Sequence, residues 1–133
     1  MQAVIAQQVA TRHTPEELGA AALQAFFGIT ARWGLSAAEQ QVLLGNPPTS
    51  TFYKLRAEKK GRLSQDMLER ISYVMGIYKS LLILLPDETA ANAWVKKPND
   101  APLFGGKRAL DKMLQGNVAD LYDVRRYLDA ERG

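Results

Sequence analysis

The sequence predicts an all-α protein, and three observations lead to that fold class. Apolar residues recur at helical spacing through almost every periodic segment of the 133-residue chain. Several of these segments are preceded by Ser, Thr or Asn with an acidic residue three positions later, which is a helix-start signal. No segment shows the convincing alternation of apolar and polar residues that a half-buried strand requires. We therefore expect about seven helices.

The first two helices are marked by their starts. Thr14 can cap a first helix that has Pro15 in its first turn. Ser36 and Glu39 form a capping box for a short second helix, which the Gly- and Pro-containing stretch at residues 44–48 stops. The apolar face of the first helix consists of Leu18, Ala22, Ala25, Phe26, Ile29 and Trp33.

A third helix spans about residues 49–57 and is followed by a break at Gly61. Ser64 then caps a longer helix that ends at Leu85. This helix has two apolar stripes, so it lies between two packed bodies or at a dimer contact, and a fully buried central helix is the alternative. The main stripe consists of Met67, Leu68, Ile71, Val74, Met75, Tyr78, Leu81, Leu82 and Leu85. The second stripe consists of Tyr73, Ile77 and Leu84.

The last third of the chain predicts three more helices. A short helix covers about residues 87–95, and residues 96–102 form a loop with two prolines. Another short helix covers about residues 109–114. Asn117 and Asp120 start the last helix with a capping box. Its inward side chains are Leu121, Val124 and Leu128.

Composition excludes several functional classes. The chain has no Cys and one His, so disulfide frameworks, thiolate nucleophiles, Cys-based zinc sites and multi-histidine metal sites are ruled out. The first residues lack the basic start and apolar core of a secretory signal. The most apolar stretch, residues 71–85, contains Lys79 and is too short to span a bilayer. The sequence indicates a cytoplasmic protein without a metal, a cofactor or a membrane partner.

The positive charge is concentrated in the first half of the chain. The formal net charge is +3. Residues 1–63 carry seven bases and four acids, whereas residues 64–133 carry ten of each. Five of the seven bases lie between Lys54 and Arg62, where only Glu58 opposes them. Such a basic stripe is typical of a polyanion partner, and the alternative is a solvated helix end with its loop.

The basic stripe coincides with the layout of a helix-turn-helix. A capped short helix, a tight turn at residues 45–48 and a short polar and basic helix follow one another from Ser36 to Arg62. Phe52 and Leu55 hold the second of these helices to the body, which leaves its outward residues for base edges and phosphates. A merely structural helical hairpin is the alternative. The DNA-binding candidates are Thr49, Ser50, Thr51, Tyr53, Lys54, Arg56, Lys59, Lys60 and Arg62.

Catalytic interpretations find little support in the residues. The Gly-Gly-Lys-Arg stretch at residues 105–108 could cradle a phosphate, and a tight entry loop with two solvated bases is the alternative. It is not a P-loop, because Ala109 replaces the Ser or Thr that would hold Mg²⁺. His13 has no Cys to pair with and is expected at the surface. Local ion pairs are expected in the last helix between the acids Asp120, Asp123 and Asp129 and the bases Arg125, Arg126 and Arg132.

Five short stretches in the second half form a combined pattern. They read Leu-Glu-Arg-Ile at 68–71, Gly-Ile-Tyr-Lys-Ser-Leu at 76–81, Ala-Trp-Val-Lys-Lys-Pro-Asn at 93–99, Phe-Gly-Gly-Lys-Arg-Ala-Leu-Asp at 104–111 and Val-Arg-Arg-Tyr-Leu at 124–128. With the helix-turn-helix upstream, this pattern resembles the Xre/MbcA/ParS antitoxins of bacterial toxin–antitoxin systems.

The resemblance implies two binding domains and no enzyme. Residues 1–63 would form an Xre-like helix-turn-helix domain that binds the operator of its own operon. Residues 64–133 would bind a RES-domain toxin, which degrades NAD or transfers ADP-ribose, and the helix at 64–85 would bridge the two domains. Homodimers and hetero-oligomers with the toxin are expected, and an Xre-type transcriptional regulator without a toxin is the alternative.

The C-terminal helix and tail of such antitoxins cover the NAD pocket of the toxin. Carried onto this chain, this points to Tyr122, Arg125, Arg126, Tyr127 and the end Glu131-Arg132-Gly133. The turn before the short helix becomes a shaping and contact loop, whose toxin-binding candidates are Phe104, Gly105, Gly106, Lys107 and Arg108.

Overall fold

The computed structural model describes residues 14–133, so Arg12, His13 and the rest of the N-terminal stretch lie outside the described residues. Within residues 14–133 the chain is helical and has no β-strand, which confirms the all-α fold class. The helices are α1 (Pro15–Arg32), α2 (Ala37–Leu43), α3 (Thr49–Glu58), α4 (Gln65–Leu84), α5 (Glu88–Ala93), α6 (Ala109–Met113) and α7 (Val118–Glu131), with a 3₁₀ turn at Trp94–Lys96 after α5.

Most helices start at the predicted caps. Thr14 and Ser64 each accept a hydrogen bond from the backbone N–H three residues later, at 3.1 Å. Ser36 Oγ accepts from Glu39 N at 3.1 Å, and Ser36 N donates to Glu39 Oε1 at 2.8 Å, which completes the capping box. α3 begins after Pro48 without a side-chain cap, so its start depends on the turn that precedes it.

α4 is the central helix and packs against α1 and α7. Met75 and Leu82 of the predicted main stripe are 44% and 39% exposed, whereas Ile77 of the second stripe is completely buried. The prediction is therefore wrong for Met75 and Leu82, whereas the burial of Ile77 agrees with a second stripe that is packed. α1 and α7 bury adjoining faces of α4, and the middle of this buried surface lies between the two predicted stripes. A single packing partner would not bury so wide a surface.

α1 is buried over a wider face than its pattern predicts. Leu23 and Phe27, which lie outside the predicted face, are buried, whereas Leu18, Ala22 and Ala25 are only partly buried. The reason is that α1 packs against both α3 and α4. Each of these helices buries its own side of α1.

The chain between α5 and α6 forms a closed loop. Pro98 and Arg108 pair as an isolated antiparallel bridge. Asn99 N donates to the carbonyl of Lys107 at 3.0 Å, and Gly106 N donates back to the carbonyl of Asn99 at 2.9 Å. The two ends of the loop are therefore held together at the start of α6. No helix among residues 14–133 is long and apolar enough to cross a bilayer.

Candidate functional site

The turn between α2 and α3 is held by one side chain. Gln41 Nε2 of α2 donates to the carbonyl of Pro47 at 2.8 Å and lies 3.4 Å from Thr49 Oγ1. Gly45 and Asn46 take positive φ angles of 97° and 56°, which reverse the chain after α2. The first turn of α3 is thereby fastened to α2, and the Thr49 hydroxyl is engaged inside the motif.

α3 presents its polar side chains to solvent. Phe52 is completely buried and its ring centroid lies 6.0 Å from that of Phe27 on α1. Lys54 and Arg56 are exposed and make no ion pair with any described residue. The arrangement is that of a helix anchored by one face and free to enter a groove with the other. The exposed DNA-binding candidates on α3 are Thr49, Ser50, Thr51, Tyr53, Lys54 and Arg56.

Lys59 closes α3. Its backbone is left-handed, with a φ of 49°, and the helix ends there, two residues before the predicted break at Gly61. The Lys59 ammonium donates to the carbonyl of Arg56 at 2.9 Å and lies 5.8 Å from the ring centroid of Phe27. A cation at this position neutralises the negative end of the helix dipole. Lys59 therefore positions α3 in the free protein.

The loop after α3 lies directly against α1. Gly19 faces the carbonyl of Gly61 so closely that a Cβ at Gly19 would overlap the carbonyl oxygen. Lys60 lies 3.8 Å from Glu58, whereas Arg62 is exposed and has no ion pair with a described residue. The missing side chain of Gly19 thus sets the position of the basic loop beside α3.

The Gly-Gly-Lys-Arg loop does not have the geometry of a phosphate cradle. The backbone N–H groups of Gly105, Gly106 and Lys107 donate to carbonyls within the same loop at 2.9–3.0 Å. A phosphate cradle requires such N–H groups to be free to point at the anion. The structure favours the alternative, a tight entry loop.

Arg108 is paired within the chain. Its Nη2 donates to Asp111 Oδ1 at 2.7 Å, and its Nε donates to Asp111 Oδ2 at 3.1 Å. This bidentate hydrogen-bonded pair raises the pKa of Arg108 and lowers the pKa of Asp111. Of the two bases in the loop, only Lys107 is left without an ion pair among the described residues.

An aromatic cluster joins the loop to α7. The ring centroids of Phe104 and Tyr127 lie 5.2 Å apart, edge to face, and Tyr127 stacks on Trp94 at 6.4 Å. Phe104 is only 5% exposed. Phe104 therefore shapes the loop from inside, and Tyr127 offers only part of its ring to a partner.

Two toxin-binding candidates lie in the seam between α4 and α7. The guanidinium of Arg125 lies across Gly76, where a Cβ would come within 2.5 Å of Arg125 Nε. Asp129 accepts from Ser80 Oγ at 3.0 Å and lies 3.6 Å from Arg125 and 3.8 Å from Arg132. Both arginines are therefore engaged within the chain. The predicted ion pairing is confirmed at Asp129.

The ion pairing predicted for the other two aspartates is wrong. Asp120 and Asp123 lie 3.1 Å and 3.5 Å from Lys112 Nζ, because α6 brings this lysine to the start of α7. The hydrogen bond to Asp120 is the main cause that raises the pKa of Lys112. Sequence spacing within one helix could not reveal a partner from another helix.

The remaining candidates on α7 face solvent. Tyr122 is 44% exposed, and its ring lies 5.6 Å from that of Tyr73 on α4. Tyr73 donates a hydrogen bond of 2.7 Å to Glu69, which raises the pKa of Tyr73. Arg126 is exposed. The two tyrosine candidates on α7 therefore lie at different places: Tyr122 is beside Tyr73 of α4, and Tyr127 is beside the loop that contains Phe104.

Sequence reasoning missed three residues that position these surfaces, namely Gln41, Gly19 and Lys96. Lys96 Nζ donates to the carbonyl of Gly34 at the end of α1. Gly19 lies in the helical pattern of α1, and a glycine at such a place is the signal that could have indicated a close backbone approach. Among residues 14–133, no group of three or more His, Asp or Glu side chains could hold a metal ion.

Comparison with known proteins finds two family domains along the chain. Residues 13–76 match the antitoxin Xre-like helix-turn-helix domain, and residues 80–133 match the antitoxin Xre/MbcA/ParS C-terminal toxin-binding domain. The uncharacterized protein y4oB of Sinorhizobium fredii is 50% identical over 113 residues, which cover 85% of each chain. The chain therefore belongs to the Xre/MbcA/ParS antitoxin family, as an antitoxin of a toxin–antitoxin system with a helix-turn-helix domain and a toxin-binding domain.

Proposed function

We propose that this antitoxin neutralises a RES-domain toxin that consumes NAD or transfers ADP-ribose, and that it represses its own operon by binding operator DNA. The observation that carries the proposal is the separation of two surfaces. The exposed bases Lys54, Arg56 and Arg62, which have no ion pair among the described residues, lie on α3 and its loop, whereas the exposed candidates of the toxin-binding domain lie on α7 and the loop at residues 103–107. One molecule can thus engage a polyanion and a protein with different residues.

The operator would be bound through α3. Ser50 and Lys54 lie opposite the buried Phe52 on this helix and Tyr53 lies about a quarter turn from it, so the three would face the base edges of a major groove. The other exposed bases would contact phosphates, and the candidates for this role are Arg56, Lys60 and Arg62. Thr49 and Lys59 would act mainly by holding α3 in place.

The toxin would be bound through the second half of the chain, with α7 and the tail over its NAD pocket. Tyr122, Arg126 and Lys107 are exposed and suited to direct contact. Phe104 and Tyr127 support the loop, and Arg125 and Arg132 could contact the toxin only by leaving Asp129. We assign residues 1–63 to the DNA-binding domain and residues 64–133, with a bridging first helix, to the toxin-binding domain.

This role requires no catalytic step by the antitoxin itself. Operator DNA and cellular NAD are both cytoplasmic, so we place its action in the cytoplasm. Operators of helix-turn-helix proteins are commonly two-fold symmetric, which favours a homodimer on the DNA.

Co-expression tests the toxin part of the proposal. A catalytically intact RES-domain toxin from the same operon should arrest growth alone and permit growth beside this antitoxin. The purified toxin should lose its NAD-consuming activity when the antitoxin is added at equal concentration. Growth arrest that persists beside well-expressed antitoxin would show that the toxin assignment is wrong.

Binding to the promoter fragment of the same operon tests the DNA part. Fluorescence anisotropy should show tight binding to this fragment and weak binding to a scrambled fragment of equal length. Equal affinity for the two fragments would contradict operator recognition. Operator binding without toxin neutralisation would instead indicate a transcriptional regulator that lacks a toxin partner.

A further inference from the structure

A groove of about 250 Å³ opens between the C-terminal parts of α4 and α7. It is lined by four leucines, two aromatic rings and one carboxylate. These residues are Leu81, Leu84, Leu85, Trp94, Tyr127, Leu128 and Glu131. Apart from Tyr127 and Glu131, none of them belongs to the residues assigned above to either binding surface.

The shape and lining of the groove fit an apolar side chain of another protein. Pockets for cofactors and small molecules usually exceed about 300 Å³ and carry several convergent polar groups. This groove is smaller and has one carboxylate, that of Glu131. One wall consists of the rings of Tyr127 and Trp94, which stack with 20° between the ring planes. A largely apolar slot of this size is typical of the pockets that receive single anchor residues at protein interfaces.

The charge at the rim of the groove indicates which type of partner residue flanks the bound apolar side chain. Glu131 is exposed and makes no ion pair with any described residue. Asp129, two residues earlier, is paired within the chain. A free carboxylate beside an apolar slot is complementary to a basic residue that flanks an apolar one.

The position of the groove indicates the partner. Every lining residue lies within residues 80–133, the range that matches the toxin-binding domain. Tyr127 also packs against Phe104, so the groove adjoins the loop that presents Lys107. The groove and the loop therefore form neighbouring parts of one surface.

We propose that this groove receives an apolar anchor side chain of the toxin, and that Glu131 pairs with a Lys or Arg of the toxin next to that anchor. The inference rests on the proposed function only in taking the toxin to be a RES-domain protein. To the covering of the NAD pocket by α7 and the tail it adds one specific contact, an apolar side chain of the toxin held between α4 and α7.

A pair of matched substitutions on α4 tests the apolar part. Leu84 lines the groove, whereas Leu82 lies on the same turn outside it and is exposed. With the purified RES-domain toxin of the same operon as the probe, Leu84→Ser should weaken binding about tenfold or more, as loss of a pocket contact at an interface does. Leu82→Ser should bind like the wild type. Equal affinities of the two variants would overturn the proposal.

Charge variants at Glu131 test the second part without touching the core. Glu131→Lys should weaken toxin binding more than Glu131→Gln, and the difference between them should shrink in high salt. An unchanged toxin affinity of Glu131→Lys would show that Glu131 does not pair with a basic residue of the toxin. Thermal melting of each variant checks that the fold is intact.

The outcomes separate this proposal from the proposed function. If the wild-type chain does not bind the RES-domain toxin, the proposed function fails and the groove assignment falls with it. If the wild type binds and Leu84→Ser binds as tightly as Leu82→Ser, only the groove assignment fails. If Leu84→Ser leaves toxin affinity unchanged and reduces self-association in light scattering, the groove is a contact between two copies and the proposal is wrong.

Discussion

Arg70 Nη1 donates a hydrogen bond of 3.0 Å to the carbonyl oxygen of Gly116, across 46 residues of sequence. Arg70 is 8% exposed, and its Nε also donates to Asp66 Oδ2 at 2.9 Å. A Cβ at Gly45 would lie 3.0 Å from the same Nε. One guanidinium therefore contacts the turn of the helix-turn-helix, the central helix α4 and the turn before α7.

Replacement of this arginine should destabilise the whole protein. Arg70→Met keeps an apolar stem of similar length and leaves the carbonyl of Gly116 without this donor. We expect a loss of about 1–3 kcal/mol in the free energy of unfolding, the usual cost of a buried polar group that loses its partner. Urea unfolding measures the loss, and Arg62→Met, at an exposed position, serves as the control. If Arg70→Met loses no more unfolding free energy than Arg62→Met, water hydrogen-bonds the carbonyl of Gly116 as well as the guanidinium does.

Two glycines of α1 should respond to alanine in opposite directions. Gly19→Ala places a methyl group on the carbonyl of Gly61, so the backbone must shift, at a cost of about 1–3 kcal/mol in stability. Gly28→Ala meets only the tip of Arg32 at 3.8 Å and should stabilise the helix by about 0.5–1 kcal/mol. Thermal melting of the two variants gives the comparison. The same sign for both would contradict the close approach of the loop to α1.

Removal of two bases from α3 should affect DNA binding alone. The double variant Lys54→Ala and Arg56→Ala should bind the operator more weakly, and its salt slope should fall by about one per lost phosphate contact. The matched control replaces Lys79 and Lys97, two exposed lysines outside the helix-turn-helix. Toxin binding should not change in either variant. An unchanged operator affinity and salt slope would exclude α3 as the recognition helix.

A charge reversal on α7 should weaken toxin binding and leave operator binding unchanged. Arg126→Glu lies on the exposed side of α7, so it should weaken toxin binding about tenfold without a change in melting temperature. Arg62→Glu in the basic loop is the control, and it should weaken operator binding instead. Calorimetric titration with toxin and anisotropy with operator measure the two affinities. Point variants suit this test because deletion of residues after Leu121 would also remove the buried Val124 and Leu128.

The ion pair at the start of α6 should make part of the stability depend on pH. Hydrogen bonding to Arg108 lowers the pKa of Asp111 in the folded state. The stabilisation that the ionised Asp111 contributes is therefore fully present above the pKa of an unfolded Asp, about 3.9. It is lost as the pH falls through the lower pKa that Asp111 has in the folded protein. Asp111→Asn should be less stable than the wild type at pH 7, and the difference should shrink below about pH 4. Unfolding of Asp100→Asn, an exposed neighbour, supplies the baseline, and a difference that is independent of pH would contradict the pairing.

Local signals were enough to predict the helices. Thr14, Ser36 and Ser64 cap the helices that their sequence patterns predicted, because a cap involves only residues within one turn. The helix-turn-helix was predictable for the same reason, since its caps, its Gly and Pro turn and its outward bases lie within residues 36–62. Phe52 was correctly assigned to the core from its spacing alone.

Predictions that depended on a neighbouring element were less accurate. Met75 and Leu82 belong to the apolar pattern of α4 and remain exposed, because their side chains point away from both α1 and α7. Asp120 and Asp123 pair with a lysine of α6, although arginines stand closer in the sequence of α7. Periodicity within a helix describes its own faces and contains no information on which element covers them.

The sequence by itself determined the helical fold class, the helix-turn-helix with its basic stripe, and the family to which the chain belongs. These properties depend on short-range patterns of caps, periodicity and charge. The tertiary structure alone decided which charges find a partner on another helix: Lys112 of α6 pairs with Asp120 and Asp123 of α7, whereas Lys54, Arg62 and Glu131 have no ion pair among the described residues. The physical reason is that an ion pair requires two side chains within about 4 Å, and packing of distant segments sets that distance.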